Sequence, residues 1–150
     1  MIRITLRRGS PRFDADRIMR VLTESILREL DNLGEEVVRH NVNAVLGSDA
    51  PDGSGPQQEN TDETQDDKLR ETGTLTPLVG SEGQLADAGL YRVERLPWLV
   101  KILPPPERAE VIGYLRARGY TVFTFPPDIR VRFRRAIENA LANARVELGR

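Results

Sequence analysis

A chain of 150 residues that is 39% apolar and 30% charged is long enough to bury a core by itself, and its length sets one domain as the expectation. The absence of cysteine excludes disulfides, thiolate catalysis, zinc ribbons and iron–sulfur clusters, while a formal net charge of -1 points to neither a nucleic-acid nor a membrane partner. Residues 1–8 lack the apolar run and small-residue cleavage site of a secretory signal, and no apolar stretch has the length to cross a bilayer, so the expected location is the cytoplasm in which the chain is made.

Residues 2–7 alternate, with Ile2, Ile4 and Leu6 on one side, the period of a short half-buried strand that pairs at a sheet edge. Gly9, Ser10 and Pro11 end it, and Asp14 suits the N-cap of a helix. From Asp14 to Leu46 the apolar residues Ile18, Val21, Leu22, Ile26, Leu30, Leu33, Val37 and Val38 recur at helical spacing. This predicts one helix of about 45 to 50 Å at 1.5 Å per residue. Gly34 marks a candidate kink or break within it, since glycine costs about 1 kcal/mol against alanine there. Such a helix outreaches the core of a small domain, and part of it is expected to meet another chain. The single histidine, His40, has no second histidine or cysteine to complete a metal site and reads as a helix-end residue paired with the C-terminal dipole.

Residues 47–68 hold one alanine and no larger apolar side chain. The expectation is a flexible, solvated acidic loop that cannot offset its own ordering entropy. Its aspartates lack the alternate-ligand spacing of an EF-hand, so calcium is not implied. Beyond it, Leu75, Leu78 and Val79 suggest a short strand and Gly80–Gly83 a turn. Residues 89–103 read as extended, with a more buried strand over Trp98–Leu103 and Pro97 at an edge, a bulge or a hairpin corner. Pro104-Pro105-Pro106 stops that strand and starts a helix over 107–118, closed by Gly119. Tyr120–Phe125 reads as the clearest strand, and the order strand, helix, strand allows a parallel pair with a right-handed crossover. Asp128 is a candidate cap for a last helix whose core face is read as Ile129, Phe133, Ile137, Ala140, Leu141, Ala144 and Leu148. The fold class expected is α+β, a small mixed or antiparallel sheet packed with a long N-terminal helix, a short middle helix and a C-terminal helix.

Arg130, Arg132, Arg134, Arg135 and Arg145 form a basic face on that last helix. Clustered arginines neutralise phosphates, yet no aromatic residues interleave to stack bases, and a helix face paired with acidic loops is the favoured reading. No glycine-rich phosphate loop, nucleophile elbow or metal-binding helix motif is present. Most carboxylates lie in the acidic loop or on helix faces, where the preorganisation that acid–base catalysis needs is absent. An assembly or interaction protein without catalysis is the reading that remains.

The stretch Leu69-Arg70-Glu71-Thr72-Gly73-Thr74-Leu75 carries a Leu-x-x-Thr-Gly-x-Leu pattern, in which Gly73 permits positive φ and the threonines can bond local backbone. This pattern, preceded by a long amphipathic helix and a polar loop and followed by Phe123-Thr124-Phe125-Pro126-Pro127 before a closing helix, resembles the head–tail neck proteins of tailed bacteriophages. These are the tail-completion and tail-terminator family that includes the Mu-type virion morphogenesis proteins. The resemblance implies a virion subunit, assembled in the host cytoplasm into a ring of copies of itself at the head–tail junction. It would contact connector or head-closure proteins on one side and the tail tube on the other, meet DNA at most in passing, and use no membrane, cofactor or metal. Leu69, Thr72, Gly73, Leu75, Arg130, Arg134 and Arg135 are the interface candidates. Thr76-Pro77 departs from the basic residue and serine often found there in the family, and terminator, completion and head-closure roles are not separated. The competing reading is a small DNA-binding or regulatory module that uses the C-terminal arginines.

Overall fold

The computed structural model describes residues 14–57, 69–70, 84–97 and 99–149. Among them the chain forms an α+β fold of three helices and one two-stranded antiparallel sheet. Helix α1 spans Ala15–Gly47, strands β1 and β2 span Arg92–Leu96 and Leu99–Leu103, helix α2 spans Ala109–Ala117, and helix α3 spans Ile129–Leu148. Short 3-10 turns precede β1 at Gln84–Ala86 and Ala88–Leu90 and precede α2 at Pro106–Arg108. The expected strands over 2–7 and 75–79, and the turn at 80–83, lie outside the described residues.

Helix α1 starts where the sequence places it, because the Asp14 carboxylate accepts the backbone N–H of Arg17 at 2.9 Å. It runs unbroken through Gly34. A Cβ at that position would sit 2.8 Å from a methyl of Val93 and 3.6 Å from one of Val100, so the missing side chain is what lets the hairpin lie on the helix. The helix ends on Ser48, left-handed at φ 59°, with the N–H of Asp49 bonded to the Ala44 carbonyl at 2.9 Å.

Helix α3 runs antiparallel to α1, since Arg132 meets Glu36 while Asn143 meets Glu29. The face expected for α3 holds at Ala140 and Ala144 and shifts around them. Ala136, Ala140 and Ala144 are its buried residues, whereas Phe133 and Leu141 are 49% and 38% exposed. Alanines four residues apart bring the two helices close together, and that approach turns the larger residues toward the edges of the interface. Asp128 does not cap α3 through its side chain. Its carboxylate instead takes the Arg132 guanidinium at 2.8 and 2.9 Å.

The hairpin is paired from Arg92 with Leu103 to Leu96 with Leu99, which puts Pro97 at its corner. Val93 and Ile102 lie against α1, with Val38, Val42 and Tyr91 forming one buried cluster. Val45, Leu85, Ile112 and Val122 form a second, and Phe123 packs against both.

The segment expected as the clearest strand, Tyr120–Phe125, is not a strand. Gly119 closes α2 as expected, at φ 89°, with the N–H of Tyr120 returning to the Leu115 carbonyl. Phe123 then takes φ 49°, outside any strand conformation. The parallel crossover is therefore not formed. The expected loop over 47–68 is also corrected in its first part. Asp49 and Pro56 make an antiparallel bridge, the Ala50 N–H bonds the Gly55 carbonyl at 2.8 Å, and Ala50, Pro51 and Gln57 are buried. Backbone hydrogen bonds and glycine turns order this stretch where apolar side chains are lacking.

Candidate functional site: an apolar groove beside the hairpin

The 120–126 segment is held by side chains rather than by a neighbouring strand. Asn41, fully buried on α1, donates to the Thr124 carbonyl at 2.8 Å and accepts the Thr124 N–H at 2.9 Å. Its amide also donates to the Val37 carbonyl one turn back on the helix, at 2.9 Å. Gln57 makes the same two-way pairing with Thr121, donating to its carbonyl and accepting its N–H. Arg116 on α2 donates to the carbonyls of Val122 and Phe123, the latter at 2.6 Å. Backbone groups that a strand partner would satisfy are taken up by three polar side chains.

This anchored segment forms one side of a groove of about 840 Å³. Leu30, Leu33, Gly34 and Val37 of α1 make its floor. Leu99, Val100 and Ile102 of β2 line one wall, and Phe123, Phe125, Ile129 and Phe133 the other, with Arg116 and Arg130 at the edge. Leu99, Phe125 and Phe133 are 43%, 59% and 49% exposed, so large apolar side chains border open space here. The wall contributed by the hairpin includes neighbouring residues of β2 and none of β1, which places the groove along the edge of β2 that faces away from β1. Among the described residues, no further backbone hydrogen bond reaches Leu99–Leu103 from that side.

The ionisable groups near the groove are already engaged or lie at its margin. His40 Nε2 sits 2.7 Å from the Pro51 carbonyl, which corrects the helix-dipole reading, since the residue lies two turns before the helix end and answers to the loop packed on it. The Arg132 guanidinium beside Asp128 holds that carboxyl below its ordinary value, first through their hydrogen bond. Burial pushes the Tyr91 phenol up to about 12, and its hydroxyl donates to the Leu85 carbonyl at 3.0 Å. Its ring stacks at a tilt on Phe123, centroids 5.7 Å apart, behind the groove wall. Among the described residues no group of three His, Asp or Glu side chains converges to hold a metal ion, and no helix is long and apolar enough to cross a membrane.

Of the interface candidates, Arg130 reaches the groove edge, and Arg134 and Arg135 are exposed on α3. No ion pair among the described residues reaches any of these three. Arg132, counted in the same basic face, is instead neutralised by Asp128 and, at 3.7 Å, Glu36. Leu69 is 51% exposed, while Thr72, Gly73 and Leu75 lie outside the described residues. The structure does not bring the Leu-x-x-Thr-Gly-x-Leu stretch and the arginines into one described site. Asn41, Gln57, Gly34 and Arg116 were not singled out as site residues from the sequence. Asn41 carries a readable signal, a polar residue inside the apolar stripe of Val37, Val38, Val42 and Val45. Gln57 sits in a polar stretch and carries none. Comparison with protein-family models, with curated proteins and with solved structures finds no match.

Proposed function

We propose that this chain is a non-enzymatic assembly subunit whose groove beside β2 seats an apolar segment of a partner protein. The observation that carries this is the open apolar trough walled by Leu99, Phe125 and Phe133, three large apolar side chains exposed along one groove. Among the described residues its floor and walls contain no carboxylate or histidine, and the two cations at its edge include Arg116, which is committed to backbone carbonyls. Such a trough suits recognition by burial and offers no general acid or base.

Within that class, the resemblance of Leu69–Leu75 and the order of elements around it support a subunit of the phage head–tail neck, a tail terminator or tail-completion protein. In that role copies of the chain close into a ring that joins connector or head-closure proteins to the tail tube, in the virion. Closed rings need a heterologous contact, one surface on each copy meeting a different surface on the next. The groove supplies one half of such a contact.

A second reading has its own observation. Arg130 and Arg134 lie one turn apart on an exposed face and Arg135 lies beside them, all without an ion pair among the described residues, which is the arrangement a phosphate backbone neutralises. Molar mass by light scattering, repeated with duplex DNA at low and physiological salt, separates the two. A ring-sized closed oligomer indifferent to DNA is the expected result. A compact monomer that binds DNA with steep salt dependence, and loses it in Arg134→Ala with Arg135→Ala, overturns the assembly reading.

A further inference from the structure

We propose that the segment seated in the groove is an extended, acid-bearing stretch of the partner, laid along β2 with its apolar side chains toward α1 and an aspartate or glutamate between them facing outward. The inference rests on the reading that the groove seats a partner segment, and it names that segment's chemistry. Two observations carry it: the open edge of β2 and the sign of the charge around it.

Backbone geometry selects an extended occupant. The edge of β2 that faces the groove receives no backbone hydrogen bond among the described residues. A strand laid there gains those bonds while its alternate side chains fill the trough. Val100 reaches toward Gly34 and Ile102 packs on the Tyr91 cluster, whereas exposed Lys101 between them belongs to the opposite face. A neighbouring strand repeats that division. Its apolar residues fall at every second position over Leu30, Leu33 and Val37, and the residues between them fall beside Lys101.

Charge selects those intervening residues. Arg116 and Arg130 stand at the edge of the groove across from β2, and Lys101 stands on β2 itself. Arg116 bonds the carbonyls of Val122 and Phe123 but keeps its positive charge, and Arg130 has no ion pair among the described residues. The carboxylates nearby answer to other groups. Asp128 and Glu36 hold Arg132, Asp31 and Glu35 line a separate cavity with Gly89 and Tyr91, and Glu94 faces Lys101 from β1, away from the groove. A segment with lysine or arginine at its outward positions would set like charges side by side. Aspartate or glutamate is attracted from both sides, and the free guanidinium of Arg130 can hold a carboxylate through two N–H groups.

The shape of the groove selects a polypeptide over a small apolar acid. A site for a small ligand buries about 70–90% of its surface. Leu99, Phe125 and Phe133 are 43%, 59% and 49% exposed, so the trough is open where such a ligand would need cover.

The probe is a displayed library of random dodecapeptides selected against the full chain, with recovered peptides synthesised for fluorescence polarisation and amide exchange. The expected peptides alternate apolar residues with Asp or Glu. Their binding should slow exchange over Leu99–Leu103 and weaken as salt rises. It should fall about tenfold in Arg130→Glu, which replaces an attraction at the rim by a repulsion of similar size. A peptide with lysine in place of its acid should recover affinity for that variant. Apolar peptides lost in Phe125→Asp yet indifferent to Arg130→Glu overturn this inference and leave the partner-seat reading standing. Binding that leaves exchange over Leu99–Leu103 unchanged does the same, as does displacement of the peptide by dodecanoate, which would assign the groove to a small apolar acid. An oligomer of the unmodified chain that dissolves in Phe125→Asp but persists in Arg130→Glu, seen by light scattering, is a second copy held by burial alone and also overturns it. Failure to recover any peptide whose binding Phe125→Asp abolishes overturns the partner-seat reading as well.

Discussion

The pairing of α1 with α3 and the segment that walls the groove solve the same problem in opposite ways. In the helix pair each backbone group is satisfied inside its own helix, and the contact needs only small side chains, Ala136, Ala140 and Ala144, to let the two cylinders approach. In the 120–126 segment the backbone has no ladder, and Asn41, Gln57 and Arg116 reach from three other parts of the chain to satisfy it. The first contact is distributed over many small burials. The second hangs on a few polar atoms, so one substitution can dismantle the groove wall while the helices remain paired.

The sharpest test of that difference is Asn41→Ala. It removes both bonds to Thr124 and strands a half-buried N–H and carbonyl, at about 1–3 kcal/mol for each unsatisfied group. Denaturant unfolding is expected to show a loss of about 2–4 kcal/mol, and amide exchange at Thr124 is expected to rise far more than at Ala140. Uniform acceleration of exchange in both places would contradict the division into two regions.

Ala140→Leu attacks the other region. Ala140 is fully buried between the helices, and added methylenes there cost about 1–3 kcal/mol through forced repacking. Here exchange should rise along α3 while the Thr124 amide stays protected.

Alkaline titration isolates the link behind the wall. The Tyr91 phenol titrates near 10 when exposed and is pushed up to about 12 by burial in the fold. A raised folded value means that its contribution to stability is complete below pH 10 and is lost as pH rises from 10 toward 12. Tyr91→Phe is expected to remove that alkaline step from the melting temperature, at the expense of the bond to the Leu85 carbonyl. An unchanged step would assign it to another group.

The smallest effect expected is at Ser25, fully buried on α1, whose hydroxyl has no hydrogen-bond partner among the described residues. Ser25→Ala relieves an unpaired polar group and improves helix propensity, and it should leave stability unchanged or raise it by up to about 1 kcal/mol. A loss of more than that would reveal a partner for the hydroxyl and a polar element in the helix pair.

What the sequence determined by itself is the set of elements whose cause is local. The start of α1 at Asp14, its course to Gly47 and the stop of α2 at Gly119 come from caps, apolar period and backbone chemistry within a few residues, whereas only the pairing of β1 with β2 chose the hairpin corner for Pro97 over an edge or a bulge. The tertiary structure decided everything that depends on where distant polar atoms fall. Tyr120–Phe125 has the aromatic and β-branched residues of a strand, yet no described strand pairs with it and Asn41, 83 residues away from Thr124, claims its backbone instead. On the face of α3 that meets α1, Ala136 joins the expected Ala140 and Ala144 while Phe133 and Leu141 are turned out, because close helix approach outweighs the size of each side chain. The groove owes its existence to both: a period of hydrophobicity on α1 and β2 that could be read directly, and a wall whose backbone is held by residues that no local pattern connects.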